Sequence, residues 1–279
     1  MSICAGIVLC NPEIDRLRQN IDAILPQVEL LILVDNGSES IDSLKKTFTD
    51  IKIVRIENAE NYGIAKALNQ MVNYASEQNY RWILTLDQDS VCDNDLVEQL
   101  YKVANENQNV AMVTPRVIDR NLTHESVGGT PNVEEVDRCI TSGCLTNIQA
   151  VINSGGFDER LFIDEVDHDM CFRLRHNGYM ILRANTTKLL QEYGLQTIER
   201  KLFGKKVNYR NYSPMRVYYQ TRNMLYMLRK YGTEYKPNVP YSYLRMFMTF
   251  TIKFIFEPNR IPRLKQFVRG YKDGLKMEL

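Results

Sequence analysis

Paired cysteines are missing from this sequence. Its six cysteines, Cys4, Cys10, Cys92, Cys139, Cys144 and Cys171, contain no C-x-x-C, and several sit in apolar runs, so free buried thiols in a reducing cytosol are expected. Histidine is scarce: His124, His168 and His176 are not spaced like a metal site. No nucleophilic triad is visible. No apolar run reaches the roughly 18 residues that span a bilayer. The nearest, 241–256, is interrupted by Arg245 and Lys253. The opening "MSICAGIVLC" lacks a basic leader region and a cleavage site, and reads as a first core strand. Internal repeats and low-complexity tracts are absent too.

What is present is an ordinary core and an unusual charge distribution. Of 279 residues, 44% are apolar and 25% charged, enough for one large α/β domain with an appendage. The formal net charge of +1 hides an asymmetry: residues 195–279 carry 18 Lys and Arg against 5 Asp and Glu, so the first 194 residues are strongly acidic. A basic end calls for an anionic partner, whether phosphate, nucleic acid or an anionic membrane surface.

Apolar runs and helical spacing alternate along the first half. Strands are expected at 4–10, 28–38, 51–57, 81–87 and 110–118, with helices at 13–25, 43–50, 63–78 and 94–107. Such alternation predicts a mostly parallel sheet covered on both faces. Ligands then bind beyond the carboxyl ends of the strands. After about residue 120 the pattern weakens to a helix entrance, a Gly-Gly turn and a helix carrying Asp167 to Arg175. Further helices are expected at 215–232, 241–256 and 261–275.

Polar clusters fall at the strand ends. "WILTLDQDS" ends an apolar strand in Asp87 and Asp89. Two acids at i and i+2 on an extended end can hold a hard divalent cation together with substrate phosphates. A turn or helix cap would favour the same residues. "VDNGS" puts Asp35 ahead of an Asn-Gly turn, where a carboxylate could accept a hydrogen bond from a base imide or a ribose. "NYGIAKALN" opens a helix at Gly63, which permits close backbone approach, with Asn61 a competing cap. "FIDEVDHDMCFR" packs Asp164, Glu165, Asp167 and Asp169 into six positions. Acids so close repel one another unless cations are near, and a general base can be made that way. The helix dipole would also favour acids there.

Taken together, the acids after strands two and four, N-x-G at a helix start, "SGGFDERLF" and the acidic cluster resemble inverting family 2 glycosyltransferases over residues 3–232. "TLDQDS", "TSGCL" and "SPMRVYYQTRN" look most like the bacterial rhamnosyltransferase branch. The resemblance implies a GT-A fold, an α/β mostly parallel sheet flanked by helices. The catalytic domain would span 1–200, its nucleotide-sugar half 1–120 and its acceptor half 121–200, with a basic helical extension over 201–279. It implies that Asp35 contacts the base and that Asn61, Gly63 and Lys66 line the nucleotide and pyrophosphate side. Asp87 and Asp89 would hold the ribose and a Mg²⁺ or Mn²⁺ ion. Asp167 would be the catalytic base, although Val166 replaces the family's usual Glu, and Asp164 and Glu165 are its rivals. Gln191 stands where the family often has a metal-ligating His, and Glu192 is its rival.

The implied reaction moves rhamnose from dTDP-rhamnose, or alternatively a hexose from a UDP-sugar, to a saccharide acceptor that would be lipid-pyrophosphate-linked. A nucleotidyltransferase is the rival from another class, but "LCNPEIDR" lacks the glycine-rich loop it would need. A non-catalytic nucleotide-sugar binder is a third reading, against which the acids at 87, 89 and 167 argue. No nucleic-acid module is recognisable. The alternating aromatic and basic residues after 195 instead suit peripheral attachment to the cytoplasmic leaflet of the inner membrane. Part of 222–232 is expected to pack on the protein.

Overall fold

A computed structural model describes residues 2–39, 41–120, 131–191, 197–202, 205–210, 213–232, 243–256 and 260–279. His124 and Glu192 lie outside the described residues. The chain divides into two compact units.

The first unit holds Met1–Phe162 and Val166–Glu192. Its centre is made of the continuous apolar runs. β1 (Ile3–Leu9), β2 (Leu30–Asn36), β3 (Ile53–Asn58) and β4 (Trp82–Asp87) lie parallel in the order β3-β2-β1-β4. Strands covered on both faces need no polar alternation, and Ile3 to Leu9 and Leu31 to Val34 are indeed almost wholly inaccessible. Each fully buried aliphatic side chain there contributes about 1.5–3 kcal/mol. Helices α1 (Ile14–Ile24), α2 (Ile41–Thr47) and α3 (Ile64–Glu77) make the crossovers. In α1, Leu17, Ile21 and Ile24 face the core, as their spacing predicts.

The second half of the sheet was harder to foresee. β5 (Val91–Cys92), α4 (Leu96–Glu106), β6 (Val110–Asp119) and β7 (Val133–Glu135) are followed by β8 (Cys144–Asn147), α5 (Ile148–Asn153), α6 (Val166–His176) and β9 (Met180–Gln191). β8 inserts antiparallel between β4 and β6. β9 runs parallel to β6. Two antiparallel steps restore direction, so the C-terminal ends of β1, β2, β4, β6 and β9 share one edge. Among the described residues this sheet has nine strands.

The second unit holds Ile163–Glu165 and Tyr193–Leu279. A hairpin of β10 (Thr197–Leu202) and β11 (Lys205–Arg210) precedes α7 (Pro214–Tyr231), α8 (Tyr243–Phe256) and α9 (Arg260–Lys276). Ser213 caps α7 by accepting from the Arg216 amide at 3.3 Å, with Pro214 in the first turn. Gly270 and Gly274 let α9 lie directly on α7. A Cβ on either would come within 2.5 Å of the Tyr218 carbonyl or 2.8 Å of the Arg222 carbonyl. Val217, Met246 and Phe267 form a small core, on which the Phe250 ring stacks against Phe267 at 3.8 Å. Arg263 is buried, so part of the basic, aromatic tail faces inward. No helix among the described residues is long and apolar enough to cross a membrane.

Candidate active site

Strand register decides which acids meet. Leu9 of β1 pairs with Asp35 of β2, and Val8 pairs with Asp87 of β4. The two residues therefore flank the C-terminal end of β1, their Cα atoms roughly 10 Å apart across two interstrand spacings. Asp35 is buried. Its Oδ2 accepts the Ser38 amide at 3.0 Å, which closes the turn, while Oδ1 has no partner among the described residues. The neighbouring loop is fastened alongside: the Asn11 amide donates to Ser38 Oγ at 2.8 Å, and Asn11 Oδ1 accepts the Glu39 amide at 2.9 Å.

The D-x-D turn is fixed from several directions. The Asp87 amide donates to Ser142 Oγ at 3.0 Å, and Asn20 Nδ2 donates to the Asp87 carbonyl at 2.7 Å. Gln88, between the acids, clasps the Cys10 backbone. Its Oε1 accepts the Cys10 amide at 2.8 Å and its Nε2 donates to the Cys10 carbonyl at 3.3 Å. Asp89 is half-buried in the same turn. Gln191, at the end of β9, donates from Nε2 to Asp87 Oδ2 at 2.7 Å. Its own Oε1 is buried without a partner among the described residues.

That orphaned oxygen bears on the cation. A buried carbonyl oxygen without a donor is costly, and next to the Asp87 carboxylate, in a turn that also carries Asp89, it is a hard oxygen donor of the kind that suits Mg²⁺ or Mn²⁺. The described residues contain no group of three or more His, Cys, Asp or Glu that could hold a metal. An ion held by two carboxylates, an amide and substrate phosphates needs none. The residues present fit such an ion.

Gly63 shows a different arrangement. Its φ of 88° and ψ of 165° belong to glycine, and a Cβ there would lie 2.7 Å from the Phe162 carbonyl oxygen. The close approach is thus taken by Phe162, whose carbonyl accepts the Ile64 amide at 2.6 Å. Asn61 Oδ1 accepts from the Gly63 amide at 2.9 Å and from Asn36 at 3.0 Å, and its Nδ2 reaches Cys10 Sγ at 3.4 Å. The Lys66 ammonium is paired with Glu159 at 3.2 Å. Asn69 donates to the Phe157 carbonyl and accepts its amide at 2.9 and 2.7 Å, which docks the "SGGFDERLF" turn on α3.

The acidic cluster separates into distinct jobs. Asp169 is fully buried and ion-paired with Arg173 at 2.7 Å. Arg173 also donates to the Ser154 carbonyl. Asp164 belongs to the second unit and is gripped there by Arg216 at 2.8 and 3.0 Å. Asp167 stands half-buried in the first turn of α6, its Oδ1 accepting the His168 amide at 2.9 Å. Glu165 has a left-handed backbone, with φ 65°. Asn20, Ser142 and Gln88 were missed as site-builders. Gln88, in "TLDQDS", and Ser142, in "TSGCL", lay in stretches that carried the family resemblance, whereas Asn20 lay in none.

Known proteins share this plan. The chain is 29% identical over 293 aligned residues to dTDP-rhamnosyl transferase RfbF of Shigella flexneri, covering 99% of this chain and 96% of that one. A mannosyltransferase from Pyrobaculum calidifontis solved with GDP-Man and Mn²⁺ superposes with a TM-score of 0.59 at 11% identity, over 100% of this chain and 76% of the other. GalNAc-T7, solved with UDP, GalNAc and Mn²⁺, gives 0.59 at 12% identity over 98% of this chain, which spans 56% of that larger one. The fold is therefore GT-A. The model of Glycosyl transferase family 2 matches residues 5–158, from β1 to the turn that follows α5. With more than half its length so matched, strand ends and D-x-D included, the chain belongs to glycosyl transferase family 2.

Proposed function

We propose that this glycosyltransferase moves rhamnose from dTDP-rhamnose to a saccharide acceptor, with inversion, in the assembly of a bacterial surface polysaccharide. The observation that carries the nucleotide half is the unpartnered Oδ1 of buried Asp35, held beside β1 opposite Asp87. A lone acceptor there matches the ring N–H of thymine or uracil. The choice of sugar rests on the near full-length likeness to RfbF.

Asp35 orients the base, and Asn61 shapes the loop that follows. Asp87, Asp89 and the Gln191 amide oxygen would hold Mg²⁺ or Mn²⁺, which when bound supplies positive charge against the departing diphosphate. Asp167 takes the proton from the acceptor hydroxyl as its oxygen attacks the anomeric carbon. The bond to the diphosphate oxygen breaks on the opposite face and the nucleoside diphosphate leaves with the electron pair. Of Asp167's two rivals, Asp164 is tied to Arg216, and the neighbouring Asp169 is tied to Arg173. A single displacement needs no Ser or Cys nucleophile.

The acceptor would be a lipid-pyrophosphate-linked saccharide, met at the cytoplasmic face of the inner membrane. Support comes from the outer side of α9, where Ile261, Leu264, Val268 and Leu275 are exposed beside Arg260, Lys265, Lys272 and Lys276. Apolar anchors flanked by cations suit an anionic lipid surface. Because Arg263 is buried and Arg269 stacks over Tyr218 at 4.9 Å, the cations that carry this reading are Lys265, Lys272 and Lys276. Liposome binding should require anionic lipid, weaken with salt, and disappear when those three are changed to Gln. Equal binding to neutral vesicles, or none to either, would refute this surface.

The donor is tested by thermal shift with dTDP-rhamnose, UDP-glucose, UDP-GlcNAc and GDP-mannose in Mn²⁺, followed by transfer with the anomer read by NMR. dTDP-rhamnose should stabilise most and give the inverted product. Preference for a UDP-hexose would overturn the sugar, and a retained configuration would overturn the role of Asp167.

A further inference from the structure

The chain immediately before α6 takes a course that its own sequence does not favour. Phe162, Asp164 and Glu165 have φ of 59°, 66° and 65°. Side chains other than glycine adopt this region sparingly, and aromatic ones rarely. Such a segment persists only where its surroundings over-determine it. Those surroundings can be named. At one end the Phe162 carbonyl takes the Ile64 amide at 2.6 Å, over Gly63. The next residues are held by α7. Arg216 donates from Nε and Nη2 to both oxygens of Asp164, at 2.8 and 3.0 Å. Asn223, fully buried, gives Nδ2 protons to the carbonyls of Ile163 and Asp164 at 2.7 and 2.9 Å. Positions 216 and 223 are two helical turns apart, so one face of α7 presents both grips. Asp167 follows Asp164 by three residues.

We propose that Arg216 and Asn223 are positioning residues for the catalytic base: they brace the Phe162–Glu165 turn so that α6 starts with Asp167 in a fixed place. This rests on the reading of Asp167 as base. It also gives "SPMRVYYQTRN" a task and makes Asp164 the handle of the brace rather than a proton acceptor. The fork of Arg216 fits both carboxylate oxygens at once, which lysine cannot do.

The test is steady-state kinetics on Arg216→Gln, Arg216→Lys, Asp164→Asn and the Arg216→Gln/Asp164→Asn double variant, with Asp167→Asn alongside. Nucleoside diphosphate binding counts the folded sites. Each of the first three should lower kcat by about 10- to 100-fold, the scale of a small misplacement of a reacting group. Donor KM and binding stoichiometry should stay at the wild-type value. The double variant should be no worse than the poorer single one, because both remove the same contact. A merely structural role would instead lower the fraction of binding-competent protein and leave kcat per site intact. Wild-type kcat per site in Arg216→Gln, or losses that multiply in the double variant, would overturn the brace. If Arg216→Gln fails to fold, Asp164→Asn removes the same pair from the turn side and decides alone. Full activity in Asp167→Asn would overturn the base assignment, whereas an inactive Asp167→Asn with a normal Arg216→Gln would overturn the brace only.

Discussion

Gln191→Glu puts the orphaned amide oxygen to work. In the native chain Gln191 Nε2 donates to Asp87 Oδ2 at 2.7 Å and Oε1 has no partner among the described residues. The substitution keeps the shape, removes the donor and sets a second carboxylate against Asp87. Two charge centres about 4 Å apart at an effective dielectric of 20 repel by about 4 kcal/mol. Without a cation, the pair avoids that cost by keeping one proton between the two oxygens. Its folded-state affinity for that proton is then raised above that of an unfolded Glu. The sign follows: stability is fully present below the unfolded value near pH 4, and is lost as pH climbs toward the folded one. In EDTA the variant should match the wild type at about pH 4 and fall behind it by neutrality. The deficit should be on the order of 10 °C in Tm for a domain of this size. A divalent cation between the carboxylates reverses the repulsion, so Mn²⁺ should restore most of the loss. Differential scanning fluorimetry over pH, with EDTA or with Mn²⁺, reads both effects. If Mn²⁺ shifts variant and wild type equally at neutral pH, Gln191 does not face the cation and the ligand set is wrong.

Three other outcomes follow from the same site. Asp89→Asn should cut turnover by about 100-fold or more while leaving Tm nearly unchanged, and EDTA should abolish wild-type transfer; full activity in EDTA would remove the metal from the mechanism. Gly63→Ala should cost about 2–6 kcal/mol in urea unfolding, since it combines a glycine-only conformation with a Cβ 2.6 Å from the Phe162 ring. Thiol titration of the native protein should find one fast cysteine, Cys10, because the other five are buried and burial pushes the Cys4 and Cys92 thiols up to about 12 and about 11. Since Cys10 touches Asn61 and Gln88, a nucleoside diphosphate should slow that one reaction, and equal rates with and without it would place the nucleotide elsewhere.

The strand ends could be read from sequence because local physics fixes them. Runs such as Leu31–Val34 and Ile83–Leu86 are buried on both faces, and an acid directly after each marks where the apolar run stops. Asp35, Asp87 and Asp89 were therefore visible. β9 was not. Its sequence, Met180 to Gln191, mixes Arg183, Asn185, Thr186 and Lys188 with apolar residues, because it pairs with β6, β7 and β5 along different stretches and is only partly covered. The partners of the acids were invisible for a related reason. Ser142 reaches Asp87 across 55 positions, Gln191 across 104 and Asn20 across 67. No local pattern encodes contacts that sheet order alone creates.

The tail teaches the complementary lesson. Aromatic and basic residues at helical spacing describe a face, and a face says nothing about what covers it. Gly270 and Gly274 decide the matter for one side of α9, since only a helix without side chains there can lie on the backbone of α7. Phe267 and Arg263 follow that side inward, while Ile261, Leu264 and Val268 remain outside. The acidic cluster behaves likewise. Its density marked a site, but only the reach of Arg173 and Arg216 from positions 4 and 52 residues away separates the acids that are tied from Asp167. What sequence density cannot rank, the distribution of counter-charges can.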